Sequence, residues 1–129
     1  MTPLALRSKS GQNLSISELA QAFSLGEFEE VYPYLSVQII WIVVGENEFE
    51  GKEAVIENCK QVRQYFDSVT TEFKTNLVIT DGNKVVVTGT AKFFRNGKQV
   101  SFIPACDVYE FDDRQQIEKI TSYCIQNPQ

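Results

Sequence analysis

Residues 84–111 read KVVVTGTAKFFRNGKQVSFIPACDVYEF, and this stretch decides the fold. It holds two runs rich in Val, Phe, Ile, Tyr and Thr, which flank the dipeptide Asn96-Gly97. Asn-Gly between two such runs is the strongest short-range signal for a two-residue β-hairpin turn. Each arm has roughly 12 residues, about twice the usual strand length. Because strands of this length tend to curl, the stretch predicts a long hairpin in a curved sheet with a concave side.

Pairing outward from the turn predicts which residues of the two arms face each other. If Arg95 pairs with Lys98, then Gly89 lies opposite Pro104. Glycine packs nothing in a strand and proline cannot donate to the ladder, so each of them indicates a bulge or a bend. We therefore predict a kink at this pair, halfway along the hairpin. The same pairing predicts an apolar face composed of Val87, Ala91, Phe93, Val100 and Phe102.

Length, composition and charge indicate a single globular domain. The chain has 129 residues, of which 43% are hydrophobic and 22% charged, and its formal net charge is −5. A negative charge argues against nucleic acid as a partner, because phosphate binding needs a cationic surface. No apolar run approaches the length of a membrane span, and the N-terminus lacks the layout of a signal peptide. We expect a disordered lead-in over residues 1–12 and one domain over 13–127.

The cysteines and the absence of histidine restrict the chemistry. Three cysteines, Cys59, Cys106 and Cys124, are odd in number and widely spaced, which favours neither a disulfide framework nor a metal site of the CxxC type. A reducing cytoplasm is the simplest location for such a protein. The chain has no histidine, which excludes histidine triads, histidine general bases and nearly every metal site that contains histidine. We therefore expect no cofactor and no metal.

Three helices are predicted in the first half of the chain. Ser15 and Glu18 fit a capping box at the start of a helix that ends at Gly26. Residues 27–32 predict a short second helix that Pro33 closes. Residues 51–66 predict the longest helix, because apolar side chains recur on one face: Val55, Cys59, Val62 and Phe66, with Ile56 beside them.

The remaining segments predict strands. Residues 37–44 are β-branched and almost wholly apolar, which predicts a strand buried on both faces or nearly so, followed by a polar turn over 45–48. Residues 72–80 and 117–125 predict strands on either side of the central hairpin. The order is helix, helix, strand, helix and then four strands in a meander. The sequence therefore predicts an α+β fold, with three helices packed on one face of a curved antiparallel sheet.

This order of elements resembles the nuclear transport factor 2-like superfold, in its SnoaL-like branch. The resemblance covers residues 15–126, and it is carried by Phe23-Ser24-Leu25-Gly26-Glu27-Phe28, Ile39-Ile40-Trp41, Val44-Gly45, Gly51-Lys52-Glu53-Ala54-Val55 and Asp107-Val108-Tyr109-Glu110-Phe111. It implies a cone-like sheet and, as is frequent in that family, a homodimer formed through the sheet. The family includes ketosteroid isomerase, polyketide cyclases, dehydratases, epoxide hydrolases and plain binding or dimerisation domains. The fold by itself therefore implies no single activity.

Asp107 is the strongest candidate for a catalytic residue, because it lies within an apolar stretch of the hairpin. The resemblance places it where ketosteroid isomerase has an aspartic acid that its apolar surroundings keep protonated and that helps to hold an oxyanion. The alternative is a half-buried strand aspartate that is hydrogen-bonded to a neighbour or to water. A bulge in the hairpin would turn Asp107 to the other face of the sheet, so the sequence leaves its direction open.

The resemblance does not extend to the rest of the isomerase site. The position of the general-base aspartate falls on Ile42, and that of the oxyanion tyrosine falls on Leu19. Dehydratase chemistry of this family uses histidines, which the chain lacks. An epoxide hydrolase-like set needs an inward arginine, and neither Arg63 nor Arg95 is predicted to face the core. Some SnoaL-type cyclases work with one aspartate as acid and base, a role that Asp107 could fill alone.

Two functions remain open at this point. In the first, a small cofactor-free enzyme uses Asp107 for isomerase- or cyclase-like proton transfer on an apolar, carbonyl-bearing small molecule. In the second, the protein is a non-catalytic small-ligand-binding or dimerisation module. In either case the candidate ligand-binding wall residues are Trp41, Tyr34, Tyr109 and Tyr123, which the simplest alternative assigns to the core.

Overall fold

The computed structural model describes residues 14–125. The predicted lead-in over residues 1–12 and the predicted domain ends, residues 13, 126 and 127, lie outside the described residues. Two α-helices, α1 and α2, and one 3-10 helix accompany a sheet of six strands. In chain order the elements are α1 (Ile16–Ser24), the 3-10 helix (Tyr32–Tyr34), β1 (Leu35–Val43), β2 (Asn47–Glu50), α2 (Lys52–Ser68), β3 (Thr70–Asp81), β4 (Lys84–Arg95), β5 (Lys98–Phe111) and β6 (Ile117–Cys124).

The sheet confirms the α+β class and the predicted meander. Its strand order is β2-β1-β6-β5-β4-β3, so the last four strands are sequential neighbours. The prediction of a wholly antiparallel sheet is wrong in one pair, because β1 runs parallel to β6. Short turns can only join antiparallel strands, whereas β1 and β6 are separated by most of the chain and are free to pair in either direction.

The sequence predicts a polar turn over residues 45–48, whereas the structure forms strand β2 from Asn47 to Glu50. Phe49 of β2 pairs with Trp41 and is half-buried, whereas Glu48 and Glu50 on either side of it are exposed. This alternation of one apolar residue between two acids is the pattern of a short edge strand with charged residues outward.

The first and the longest helix form as predicted, but the second does not. The capping box is present, with the Glu18 N–H donating to Ser15 Oγ at 3.1 Å and the Ser15 N–H donating to Glu18 Oε1 at 2.9 Å. Residues 27–31 contain no α-helix, and Pro33 lies inside the 3-10 helix rather than closing an α-helix. Proline is accepted in a first helical turn, where its missing N–H would have no partner.

Strand β1 is less buried than its composition predicts. Ile39 and Trp41 are buried, but Val37 is 77% exposed and Gln38 is exposed as well. The pairing of β1 with β6 shifts register between Leu35 and Ile40, which leaves Val37 and Gln38 outside the regular ladder. The prediction of a strand buried on both faces is therefore wrong for this half of β1.

The central hairpin begins in the predicted register and then departs from it. Arg95 faces Lys98 as expected, but Phe93 faces Ser101, so Val100 is an extra residue in β5. Such a bulge displaces every later pair by one position. Because of this displacement, Val100 and the following Phe102 do not share a face with Phe93, which corrects the apolar face predicted for the hairpin.

The predicted pair of Gly89 and Pro104 is wrong by one residue for the same reason. Gly89 faces Ala105 and Pro104 faces Thr90, and the ladder between β4 and β5 continues through both without a further shift. The irregularity beside Gly89 lies instead between β3 and β4, where Asn76 is the extra residue. A Cβ atom at Gly89 would lie 2.3 Å from the Lys74 carbonyl oxygen, so the close approach of two backbones requires glycine here.

The core lies between the concave face of the sheet and the two helices. Tyr109 and Phe111 of β5 are fully buried in it, as is Leu19 of α1. The predicted stripe of α2 is confirmed, since Val55 and Cys59 are buried and Ile56, Val62 and Phe66 pack against the core. Within residues 14–125, no helix is long and apolar enough to cross a membrane.

Candidate active site

A cavity of about 380 Å³ lies between the two helices and the concave face of the sheet. This volume is within the usual range for small-molecule sites. Aromatic side chains dominate its wall, and we call these eight residues the aromatic belt: Phe23, Phe28, Trp41, Phe49, Tyr65, Phe66, Phe73 and Phe93. Polar side chains in the wall include Ser24, Asp107 and Ser122.

The aromatic belt is a continuous series of ring contacts. Phe23 packs edge-on against Trp41 and Phe28, with ring centroids 5.1 and 5.0 Å apart. Phe28 stacks with Phe66 at 6.4 Å, which joins the rings of α1 and β1 to those of α2. The series continues from Trp41 to Phe49 and from Phe66 to Phe73, Phe93 and Tyr65. Contacts of this kind stabilise the wall beyond simple area burial.

Asp107 faces this cavity from β5. It lies opposite Val87 of β4 and Ser122 of β6, and all three line the cavity. The bulge at Val100 places Asp107 opposite Val87, whereas the register predicted from the turn would have placed it opposite Val86. The question that the sequence left open is therefore answered in favour of the concave side.

Two serine hydroxyls hold the Asp107 carboxyl group. Ser24 Oγ, at the end of α1, donates to Asp107 Oδ2 at 2.8 Å. The Ser122 hydroxyl forms a second side-chain hydrogen bond with Asp107. The carboxyl group is therefore tied both to a helix and to the neighbouring strand.

The outer partners of the two serines determine the direction of these hydrogen bonds. Trp41 Nε1 donates to Ser122 Oγ at 3.0 Å, and an indole N–H can only donate, so the proton of Ser122 is free for Asp107. Ser24 and Tyr109 hydroxyl oxygens are 2.6 Å apart. Because Ser24 gives its only proton to Asp107, Tyr109 is the donor in this contact. All four hydrogen bonds of this Asp107 network therefore point toward the carboxylate.

Burial raises the pKa of Asp107 above its usual value, and the hydrogen bonds from Ser122 and Ser24 offset part of that rise. The ionisable groups that interact with it are themselves acids. Burial, followed by the nearby Asp107 charge, raises the pKa of Tyr109 well above 10. The same two causes raise the pKa of Cys124 to about 11 and that of Cys106 above its usual value. No cation is among these neighbours.

The structure brings together only part of the wall predicted from sequence. Trp41 lines the cavity, and Tyr109 is fully buried and reaches the site through its hydroxyl group. Tyr34 packs against the core outside the cavity wall. Tyr123 is 48% exposed and pairs with Cys106, so it points away from the cavity. Successive strand residues face opposite sides, and Ser122 takes the inward position next to Tyr123.

The sequence did not single out Ser24 or Ser122. Ser122 could have been found from the period of two in β6, since Ile120 and Ser122 are both buried. Ser24 follows the last buried residue of α1, Phe23, and nothing local indicates that it reaches a strand 83 positions further along the chain.

Other catalytic arrangements find no support among the described residues. Arg63 donates to the Gly26 carbonyl oxygen at 3.0 Å and pairs with Asp67 at 3.2 Å, so it does not complete an Asp–Arg–Asp set in the cavity. In the part of the chain that the structure describes, no group of three or more Cys, Asp or Glu side chains could hold a metal ion.

The comparison with protein families agrees with this fold. The SnoaL-like domain matches residues 16–121, which is most of the chain. The chain belongs to the SnoaL-like domain family. Among solved structures, an NTF2-like protein of unknown function from Cytophaga hutchinsonii superposes with a TM-score of 0.75 and 33% identity, covering 83% of this chain and 93% of that one.

More distant solved structures share the fold. A protein from Jannaschia sp., described as a candidate SnoaL-like polyketide cyclase, has a TM-score of 0.67 and 17% identity, covering 88% of this chain and 90% of that one. An LEH-like epoxide hydrolase from M. tuberculosis has a TM-score of 0.65 and 20% identity, covering 85% of this chain and 82% of that one. At these identities the likeness shows the fold alone. A search of curated proteins found no match.

Proposed function

We propose that the cavity binds a small, largely apolar, carbonyl-bearing molecule and that Asp107 exchanges a proton with it without a cofactor. The observation that carries this proposal is the position of the carboxylate. Asp107 is an ionisable group in the wall of an aromatic cavity, held by the hydrogen bonds of Ser24 and Ser122. A positioned carboxyl group in an apolar cleft with a raised pKa is typical of acid–base sites.

The chemistry follows from the direction of the hydrogen bonds. As an anion, Asp107 can accept a proton from a carbon next to a carbonyl group, which leaves the electron pair on the enolate. The resulting carboxylic acid can return the same proton to another atom of that enolate, so the net reaction is an isomerisation. The raised pKa brings the base closer to neutral pH, where transfer in both directions is efficient. The aromatic belt gives the enolate apolar surroundings.

The likeness to other SnoaL-like structures is compatible with this chemistry. Proteins described as a candidate polyketide cyclase and a candidate isomerase share the fold at 17% and 15% identity. At such identities they support the fold, while the residues of the cavity carry the proposal.

A second function, a non-catalytic binding module, is favoured by a different observation. The other charged residues in the described cavity wall, Glu46 and Lys74, are exposed. An enolate oxygen is stabilised by preorganised donors, and the donors of the Asp107 network already point at the carboxylate. A site in which the hydrogen bonds of the network all serve the carboxylate fits binding at least as well as rapid catalysis.

Exchange of carbon-bound hydrogen tests the first function directly. We would incubate the protein in D₂O with a panel of apolar cyclic ketones and follow loss of the proton next to the carbonyl by NMR. Exchange above the buffer rate is expected for the wild-type protein and at least tenfold slower exchange for Asp107→Asn. Asp113→Asn, at an exposed turn, is the matched control. If the ketones shift the cavity resonances but their protons do not exchange, the non-catalytic binding module is supported. If the ketones neither bind nor exchange, the proposal is overturned.

A further inference from the structure

We propose that the ligand carries a protonated amine, whose ammonium group binds the Asp107 carboxylate and faces the aromatic belt. This inference rests on the first half of the proposed function, namely that the cavity is a ligand site. It goes beyond it by assigning the charge and the donor character of the ligand. Three independent features of the cavity support it.

The first feature is a missing positive charge. Lys74 is the one cationic residue among those described in the cavity wall, and its side chain is exposed two residues before the bulge of β3. The direct partners of Asp107 are the neutral hydroxyls of Ser24 and Ser122. Moving a carboxylate from water into a protein interior costs free energy unless a cation pairs with it. The protein does not supply this cation next to Asp107, so a bound ligand is the group that can.

The second feature is the supply of free acceptor positions. A carboxylate has about four positions at which it can accept a hydrogen bond. Ser24 and Ser122 use two of them, and Asp107 still lines the cavity. The group that matches these positions is a donor. An ammonium group offers up to three donors together with the missing charge, whereas a ligand carboxylate would offer only acceptors and a second negative charge.

The third feature is the wall around the carboxylate. The belt contains the single tryptophan of the chain, Trp41, and six of its nine phenylalanines. Aromatic faces attract cations, by roughly 0.5–2 kcal/mol for each well-placed ring. One ring of the belt already does so, because the Arg63 guanidinium lies 5.5 Å from the centroid of Phe66. Aromatic rings combined with one carboxylate are a suitable environment for an ammonium group.

Three ligands of matched shape and different charge test the inference. We would measure the binding of 3-phenylpropylamine, 3-phenylpropan-1-ol and 3-phenylpropanoate by calorimetry at neutral pH. The amine is expected to bind at least tenfold more tightly than the alcohol, and the acid most weakly. Asp107→Asn should reduce the preference for amine over alcohol to less than threefold, while Asp113→Asn should leave it unchanged. An alcohol that binds as tightly as the amine, or a preference that survives Asp107→Asn, would overturn the inference.

Titration of Asp107 gives a second readout, because nonspecific binding of the amine to the protein surface would not change it. The pKa of the Asp107 carboxyl, followed by carbon NMR, should fall when the amine binds, because an opposite charge favours the ionised form. The alcohol should not lower it. The titratable groups that interact with Asp107 are Tyr109 and Cys106 on its own strand and Cys124 on β6. Their pKa values are raised, so they stay protonated through the range of the measurement. The partners on α1 and β1, Ser24 and Trp41, do not titrate.

The outcomes separate this inference from the proposed function. Tight amine binding without ketone exchange would support the amine site and overturn proton transfer. Binding of the alcohol or of ketones without preference for the amine would overturn the amine site and leave the ligand cavity intact. Failure of all three phenylpropyl compounds to bind at millimolar concentration would overturn the amine site, while the ketone panel decides separately whether the cavity binds a ligand.

Discussion

Ser24 and Asp107 are 83 positions apart in the chain, and a hydrogen bond of 2.8 Å joins their side chains at the cavity. This contact links the last residue of α1 to the second half of β5, so a polar contact joins the helix to the sheet inside the molecule. Because the same Ser24 oxygen lies 2.6 Å from the Tyr109 hydroxyl, one serine serves two buried groups. The stability of the fold and the charge state of the site therefore depend on the same side chain.

Ser24→Ala should lower the free energy of unfolding by about 1–3 kcal/mol, because it leaves the buried Tyr109 hydroxyl without an acceptor. It should also raise the pKa of Asp107 further, since one of the hydrogen bonds that lower it is lost. Urea denaturation and carbon NMR of Asp107 measure the two effects. Ser17→Ala on the same helix, which removes a contact to Gln21 only, is expected to cost less than about 0.5 kcal/mol. Equal losses in the two variants would contradict the assigned role of Ser24.

The raised pKa of Asp107 makes stability depend on pH in a definite direction. A carboxyl group with a folded-state pKa above its unfolded value binds its proton more tightly in the folded state. The stability that this group contributes is present at pH values below its unfolded-state pKa and is lost as the pH rises through its folded-state pKa. The Asp107→Asn variant does not suffer this loss. The free energy of unfolding of the variant minus that of the wild-type protein should therefore rise with pH above about 4, by at most about 1.4 kcal/mol per pH unit. Urea denaturation between pH 3.5 and 8 would show it, and a difference that is flat or falls with pH would contradict it.

Gly89→Ala should destabilise the sheet by about 1–3 kcal/mol, because overpacking against a fixed backbone cannot relax cheaply. The added Cβ would lie 2.3 Å from the Lys74 carbonyl oxygen, and relief requires β3 to move away from β4. Urea denaturation measures the loss, and hydrogen exchange of the amides near Asn76 should become faster in the variant. Unchanged stability and exchange would show that the two strands do not approach this closely at the bulge.

We propose that the face of the sheet opposite the helices forms a homodimer. Two adjacent cross-strand rows define this outer face: Leu77, Thr88, Cys106 and Tyr123 in one, and Ile79, Val86, Val108 and Thr121 in the other. Leu77, Ile79 and Tyr123 are each about half exposed. A row of large apolar side chains that no helix covers is a common basis for two-fold association.

Analytical ultracentrifugation at tens of micromolar tests this proposal. A dimer is expected for the wild-type protein and a monomer for Ile79→Asp, because a charge on the outer face would be buried without a partner in the dimer. Val100→Asp near the hairpin end, where the apolar side chain is also about half exposed, should remain a dimer. A monomeric wild-type protein would refute the proposal.

Much of the fold follows from patterns that act within a few residues. The capping box at Ser15 and the turn at Asn96-Gly97 both form as their local sequences predict. The stripe of α2 is equally local, because helical spacing alone places Val55 and Cys59 on one face. The second predicted helix failed because residues 27–32 had only weak local signals, which tertiary packing readily overrides.

Features that depend on contacts between distant segments could not be predicted from local sequence patterns. The parallel pairing of β1 with β6 joins segments from opposite ends of the described chain, and no residue pattern in either strand specifies the direction of its partner. The extra residues Val100 and Asn76 have no marker of their own. Their positions depend on how three strands curve together around the core, so the hairpin could be predicted while its register past Phe94 could not.

The candidate site shows the same division. The sequence by itself determined that a carboxylate, Asp107, lies in an apolar strand, because alternation and hairpin signals are local properties. Only the tertiary structure decided that this carboxylate faces the cavity, since a shift of one residue at Val100 reverses the direction of every following side chain. The tertiary structure also supplied its partners, because Ser24 and Ser122 reach Asp107 through the packing of a helix and a neighbouring strand. Hydrogen bonds between distant segments depend on distances in space, which a linear sequence does not encode residue by residue.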